Sequence, residues 1–332
     1  MATTTYGDIS QRTAYHAAAV MLAHAEPVIV LGKFGQTKPV PRNTANKVKF
    51  RRPVPYAVNT TPLVEGVTPV AHKISYEDVP VTLYQYGDLA ELTDVIADTS
   101  EDPVLNDMSM LAGENAGETT ETVCYGVIKA GTNKFYGAST DSGRTDVNDA
   151  ISINRQHAVV RALRANRAKP VTRMLSGSLN YGTSPIEGGY IAFAHTDLEH
   201  DIRALSGFVP VAEYGSRTPL CPEELGSVQS VRYILSPLLV PYKSAGGTPG
   251  GMKSTDGSAA DVYPVIYIGM DAYGHVPLSG KDSITPSVIN PSTLDKSDPL
   301  GQRGYVGWKT YYNAVVLNES WMAVLEVAVT AL

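Results

Sequence analysis

Prolines 39, 41, 53, 55, 62 and 69 punctuate residues 36–72. Proline has no amide hydrogen to give a helix interior or a central ladder, so this stretch can be neither. Between the prolines, KVKF alternates, with Val48 and Phe50 on one face and Lys47 and Lys49 on the other. That is the spacing of a strand. A strand flanked by prolines is an edge strand or a hairpin arm, so the segment reads as a long, exposed, two-stranded loop. A loop of this length is uncommon in a monomer unless something else holds it.

Charge divides at the end of this loop. From Lys33 to Lys73 there are eight Lys or Arg and one acid, Glu65, a local net of +7. From Ile74 to Ile128 there are twelve Asp or Glu and no Lys or Arg, a local net of −12. One reading makes both runs solvated faces of a single subunit. The other lays the loop of one copy across the acidic segment of the next, where many weak ion pairs fix register although each is worth only about 0–1 kcal/mol. On the second reading the intersubunit-contact residues are Lys47, Lys49, Arg51, Arg52, Glu65, Asp98, Glu101, Asp107, Glu114, Glu118 and Glu121.

Elsewhere the pattern mixes helices and strands. Residues 10–25 have helical composition, with Ala18, Met21, Leu22 and Ala25 at helical spacing. VPVTLYQY at 79–86 reads as a strand. A long helix follows, with Asp102 as N-cap, Pro103 in its first turn and Gly131 closing it. Its apolar stripe is Val104, Leu105, Met108, Leu111, Ala112, Ala116, Thr119, Val123 and Val127. A second helix, about Arg155 to Arg167, turns Val159, Val160 and Leu163 inward and Arg161, Arg164 and Arg167 outward. Those arginines suit an intersubunit contact, a lumen-facing surface or a solvated face. A strand and short helix (188–205), two strands around a flexible glycine tract (243–259), and two terminal strands with a turn near Asn318 to Ser320 complete the chain.

No constellation points to catalysis, a metal or a cofactor. The tract from Gly246 to Ser254 imitates a phosphate loop, but Met252 stands where the lysine is required. His195 and His200 flank Glu199 at a spacing that fits neither zinc-helix pattern. Cys124 and Cys221 have no His or Cys at ligand spacing, make no disulfide framework and suit a reducing cytoplasm. There is no signal peptide and no run of about 20 apolar residues, so no membrane partner is expected. Only Arg12 is basic in the first 32 residues, so the chain lacks a basic arm for gathering nucleic acid. Tyrosines (19) greatly outnumber phenylalanines (5), which suits either a β-rich protein or surfaces buried on assembly.

The order of elements resembles the Hong Kong 97-like coat protein fold, an α+β class. TTPLVEGVTPV (60–70), VPVTLYQYGDLAELTDVIADTS (79–100), GGYIAFAH (188–195) and GYVGWKTYYNAVVLNESWMAVLE (304–326) resemble the coat-protein family that includes phage N-four. The stretches around Glu65 and Gly66 and around Trp308 and Lys309 carry the likeness most specifically. The resemblance implies an N-arm (1–35), an extended E-loop (36–75), a peripheral domain with a long spine helix (76–131), an axial domain (132–300), and C-terminal strands (301–332) returning to the peripheral domain. It implies a major capsid protein whose hexamers and pentamers close an icosahedral head around double-stranded DNA held without sequence-specific contacts. Portal, scaffolding or decoration proteins are its further partners. The head would be assembled in the host bacterial cytoplasm. With no large scaffolding segment expected before the arm, assembly help would come from a separate protein or none, and no Lys–Asn cross-link pair is assignable. The alternatives are another virion part, such as a tail or decoration protein, or an unrecognised enzyme.

Overall fold

The computed structural model describes residues 29–41, 46–63, 65–66, 68, 71–95, 104–175, 183–215, 217–278, 284–289, 291 and 299–332. The helix expected over 10–25 and the helix start at Asp102 and Pro103 lie outside these residues. In chain order the elements are β1 (Gln36–Thr37), β2 (Lys47–Pro53), β3 (Tyr76–Thr82), β4 (Tyr84–Thr93), α1 (Val104–Lys129), β5 (Lys134–Tyr136), α2 (Ile153–Ala165), β6 (Val171–Leu175), β7 (Thr183–Ala194), α3 (Glu199–Arg203), β8 (Phe208–Pro210), β9 (Glu224–Val228), β10 (Val231–Leu235), β11 (Tyr263–Ile268), β12 (Tyr273–Pro277), β13 (Ile284–Ile289), β14 (Arg303–Val316) and β15 (Met322–Val327).

The largest sheet runs β5-β15-β11-β7-β10-β9-β8, with β6 also beside β7. Its inner strands are buried on both faces, so they are apolar at nearly every position. Ala192, Tyr233, Val265, Tyr267, Ala323 and Leu325 point into one core, which α2, α3 and the 3₁₀ turn before α3 cover with Val159, Val160, Leu163, Ile202 and Leu198. Ile191, Phe193, Ile234, Ile266, Ile268 and Val324 point into the other, closed by Cys124, Tyr125 and Ile128 of α1. Helix α2 has the expected inward triad and starts at Ser152, whose hydroxyl accepts from the Arg155 amide.

The second sheet is built on β14. β4 runs antiparallel along one side over Arg303–Tyr312, and β13 and then β12 along the other, with β1 beside β12. The N-terminal half of α1 lies on this sheet, packing Ala116 against Val306 and Trp308. Trp308 Nε1 donates to Asn115 Oδ1 at 3.0 Å. One 26-residue helix, spanning about 39 Å at 1.5 Å per residue, therefore joins the two sheets.

Three expectations change. Residues 79–86 are not one strand: buried Leu83 separates β3, in a two-stranded ladder with β2, from β4 in the β14 sheet. The two terminal strands do not pair, because β14 and β15 belong to different sheets. The glycine tract is pinned rather than loose. Gly247 N donates to Val147 O and Lys253 N to Val329 O, while the buried Asp261 carboxylate accepts from the Ser244 and Thr255 amides and the Thr255 hydroxyl.

Candidate assembly surface

The β2–β3 ladder runs in unbroken register from Lys47↔Thr82 to Pro53↔Tyr76. The return strand therefore comes after residue 75, beyond the proline-rich stretch that the sequence suggested would supply both strands. The expected alternation holds on β2: Phe50 is buried and Val48 half-buried against Val40, Val81, Leu83 and Val276. The base of the hairpin is thus anchored to its own subunit by apolar packing.

The other face carries Lys47, Lys49 and Arg51, while Arg52 follows Phe50 on the first face, beyond its buried end. Register sets Arg51 opposite Asp78 and Arg52 opposite Glu77. Arg51 makes a two-pronged bond to Asp78, Nε to Oδ1 at 2.7 Å and Nη2 to Oδ2 at 2.9 Å. Lys49 Nζ lies 3.9 Å from the same carboxylate, and Arg52 Nη2 is 2.6 Å from Glu77. The Arg51 hydrogen bonds hold the Asp78 carboxyl below the usual carboxylate range. Lys47 is exposed. Three of the four basic candidates therefore have acidic partners on the neighbouring strand of their own hairpin.

Beyond Pro53 the chain stands away from the body. Val54, Tyr56, Val58, Leu63 and Ile74 are exposed, Val58 at 77% and Leu63 at 76%. Glu65 is exposed in a turn with Gly66 at φ +78°. Sequence reasoning passed over these apolar residues. Their signal was apolar side chains inside a proline-rich extension, where nothing local can bury them.

The acidic candidates divide. Asp107 and Glu118 are exposed on α1 and Glu114 is half-buried; Asp98 and Glu101 lie outside the described residues. Leu111, expected on the inward stripe, is 59% exposed on this outward face. Glu121 is not a surface residue: it is 1% exposed, inside the core register of α1 with Ala116, Cys124 and Ile128. Its Oε1 accepts from the Val30 amide at 3.2 Å and the Leu31 amide at 2.8 Å. Burial pushes its carboxyl up to about 7.

Glu121 anchors a strap formed by residues 30–40. Tyr273 Oη donates to Leu31 O at 2.6 Å, and Thr37 Oγ1 lies 2.6 Å from His275 Nε2. Burial lowers His275 to about 4. The strap is woven into both sheets' cores by Val30, Leu31, Phe34 and Val40.

Among the described residues no group of three or more His, Cys, Asp or Glu is placed to hold a metal ion, and no helix is long and apolar enough to cross a membrane. Both cysteines are buried thiols.

Comparison with known proteins matches residues 76–327 to the family described as phage capsid protein. The major capsid protein of Pseudomonas phage KPP21 is 24% identical over 270 residues, 74% of this chain. The chain covers 66% of that relative's length. Among solved structures, the capsid of Ralstonia phage GP4 superposes with a TM-score of 0.67 at 13% identity, over 90% of this chain and 87% of that one. The Cyanophage Pam1 capsid asymmetric unit gives 0.62 at 13% identity, over 99% and 95%. These likenesses show a mixed α+β fold resembling Hong Kong 97-like capsid structures. Because the family match takes in everything from the start of β3 to the end of β15, this protein belongs to the phage capsid protein family.

Proposed function

We propose that the chain is the major coat subunit of a tailed double-stranded DNA phage and that its copies form the hexamers and pentamers of an icosahedral head. On this reading residues 1–35 are an N-arm, the β2–β3 extension is the E-loop, α1 is the spine helix of a peripheral domain, and residues 132–300 form most of an axial domain. Finished particles are virions, assembled in the host bacterial cytoplasm, with portal, scaffolding or decoration proteins as further partners.

The observation that carries the reading is the exposed apolar extension. Val58 and Leu63 stand on a long loop whose base alone is anchored. Burying such side chains is worth about 1.5–3 kcal/mol each, and among the described residues none covers them, so another molecule supplies the cover. The ladder's ion pairs stiffen the arm that presents them. Charge on the hairpin's outer face then sets orientation, while apolar contact at its far end supplies affinity.

The test separates these parts. V58D/L63D leaves the β2–β3 ladder intact and should give a folded subunit, judged by near-UV circular dichroism, that stays small on size exclusion. The unaltered chain should give shells or hexameric rings by electron microscopy. Normal shells from V58D/L63D would discard the reading of the loop. A stable monomer from the unaltered chain at every concentration would discard the coat assignment.

A further inference from the structure

Twelve arginines fall among the described residues, and eight of them lie within 4.0 Å of a carboxylate: Arg51, Arg52, Arg144, Arg173, Arg203, Arg217, Arg232 and Arg303. The remaining four are Arg155, Arg161, Arg164 and Arg167, all on α2 or in the turn that ends it. Among the described residues none of these four has a carboxylate partner. Their clustering has a sequence cause. Between Asp149 and Glu187 there are six Lys or Arg and no acid, in a chain whose net charge is −6. Helix α2 therefore cannot pair its own cations at the usual three- or four-residue spacing.

Geometry keeps these charges outside. The inward triad of α2 fixes its rotation, and Arg161, Arg164 and Arg167 come out exposed. Arg167 sits at φ +56° in the turn after the helix, and its amide donates to Arg164 O. Alongside is the turn between β9 and β10, where Gln229 Oε1 lies 2.8 Å from His157 Nε2 and Ser230 Oγ accepts from Arg164 Nη2 at 3.2 Å. The surface is thus cationic with uncharged hydrogen-bonding groups beside it. It also lacks what a protein partner would grip. Among the described residues no large apolar side chain is exposed on α2 or in the β9–β10 turn, and Val209, on β8 two strands from β10, is 37% exposed. Protein interfaces are held by buried apolar and aromatic anchors, whereas phosphate backbones are held by arginines, serines and glutamines without them.

We propose that the outer face of α2 and the turn that ends it, carrying Arg161, Arg164 and Arg167, is the surface of this coat protein that meets the phosphate backbone of double-stranded DNA, without reading its sequence. The proposal rests on the coat-subunit reading for why DNA is at hand, but not for the chemistry. Each guanidinium that meets a phosphate releases a counterion, so binding weakens steeply with salt.

The experiment measures affinity of the full, unassembled chain for a short mixed-sequence duplex by fluorescence anisotropy across a salt series, beside electron microscopy of shells. R161Q/R164Q/R167Q should bind more weakly, and its slope of log affinity on log salt should be shallower by about 2.7, at about 0.9 per phosphate contact. R161K/R164K/R167K should restore most of the slope, which shows that charge and not misfolding is read. An unchanged slope in the glutamine variant, or no duplex binding by the parent chain, overturns the proposal. A glutamine variant with an unchanged slope that no longer forms shells makes this face a contact between copies instead. A parent chain that forms no shells, paired with a shallower slope in the variant, sinks the coat reading and leaves the phosphate surface standing.

Discussion

β2 and α2 are both basic, and their cations are in opposite circumstances. On β2, Arg51 and Arg52 meet Asp78 and Glu77 because an antiparallel ladder sets a fixed residue directly opposite each one. On α2, no acid occurs within the helix and none of the described residues reaches in from elsewhere, so the charge stays available. A run of basic residues in a sequence therefore does not say how much positive charge a surface offers. Pairing geometry decides, and the surface offering most is the one with fewer cations in a row.

The contrast can be sharpened by placing a buried pair beyond both. Glu326 is fully buried on β15 and is held by Arg144, Nε to Oε2 at 2.8 Å and Nη2 to Oε1 at 2.7 Å. Arg144→Met should destabilise the fold by about 3 kcal/mol in urea unfolding, since a buried charge loses its principal partner. Lys134 Nζ, 3.4 Å from Glu326, keeps the loss at the low end. A loss no larger than that of a surface substitution would erase the distinction between inner and outer pairs.

Next comes Glu121. Its ordinary carboxyl value of 4.5 rises to about 7 in the fold, with Lys33, Cys124, Tyr273 and Tyr312 as the ionisable groups around it. The folded chain then holds a proton that the unfolded chain has released, so the stability linked to this group is greatest at acid pH. It is lost as pH rises from the ordinary carboxyl range through about 7, at most about 3 kcal/mol. Glu121→Gln keeps an acceptor for the Val30 and Leu31 amides and should flatten that part of the pH dependence, read as urea midpoints at about pH 5 and about pH 8. The same slope in both proteins would contradict the burial argument. The smallest effects belong to the surfaces first compared. Arg51→Ala should lower the melting temperature slightly, and less so in high salt, while Arg161→Gln should leave it within the scatter of repeated scans. An Arg161 effect larger than the Arg51 effect would reverse the comparison.

Much of this was legible in the sequence because it is periodic or local. The inward triad of α2, the alternation of Val48 and Phe50, and the glycine near-miss at Met252 all follow from spacing. What escaped depends on residues far apart. Glu121 looked like part of an acidic surface because acids on helices are usually solvated. The amides that need it are about ninety residues away, at Val30 and Leu31. The cis partners of Arg51 and Arg52 lie more than twenty residues on, and no pattern within either strand announces their register. The glycine tract looked loose because its fastening, Asp261, is one unremarkable acid beyond it. The separation of β14 from β15 turns on the 3₁₀ turn at Glu319–Trp321, whose Asn318 side chain accepts from Ser320 N and which reads locally like any hairpin bend.

β15 lies inside the largest sheet, between β5 and β11, and residues 322–327 follow every other strand of that sheet in the sequence. A nascent chain still short of them leaves the edge of β11 open, with no antiparallel neighbour on that side and Glu326 absent from beside Arg144. Closure of this half of the molecule must therefore wait until Met322–Val327 have been made. Chains truncated upstream of Met322 are left without the strand that seals this sheet.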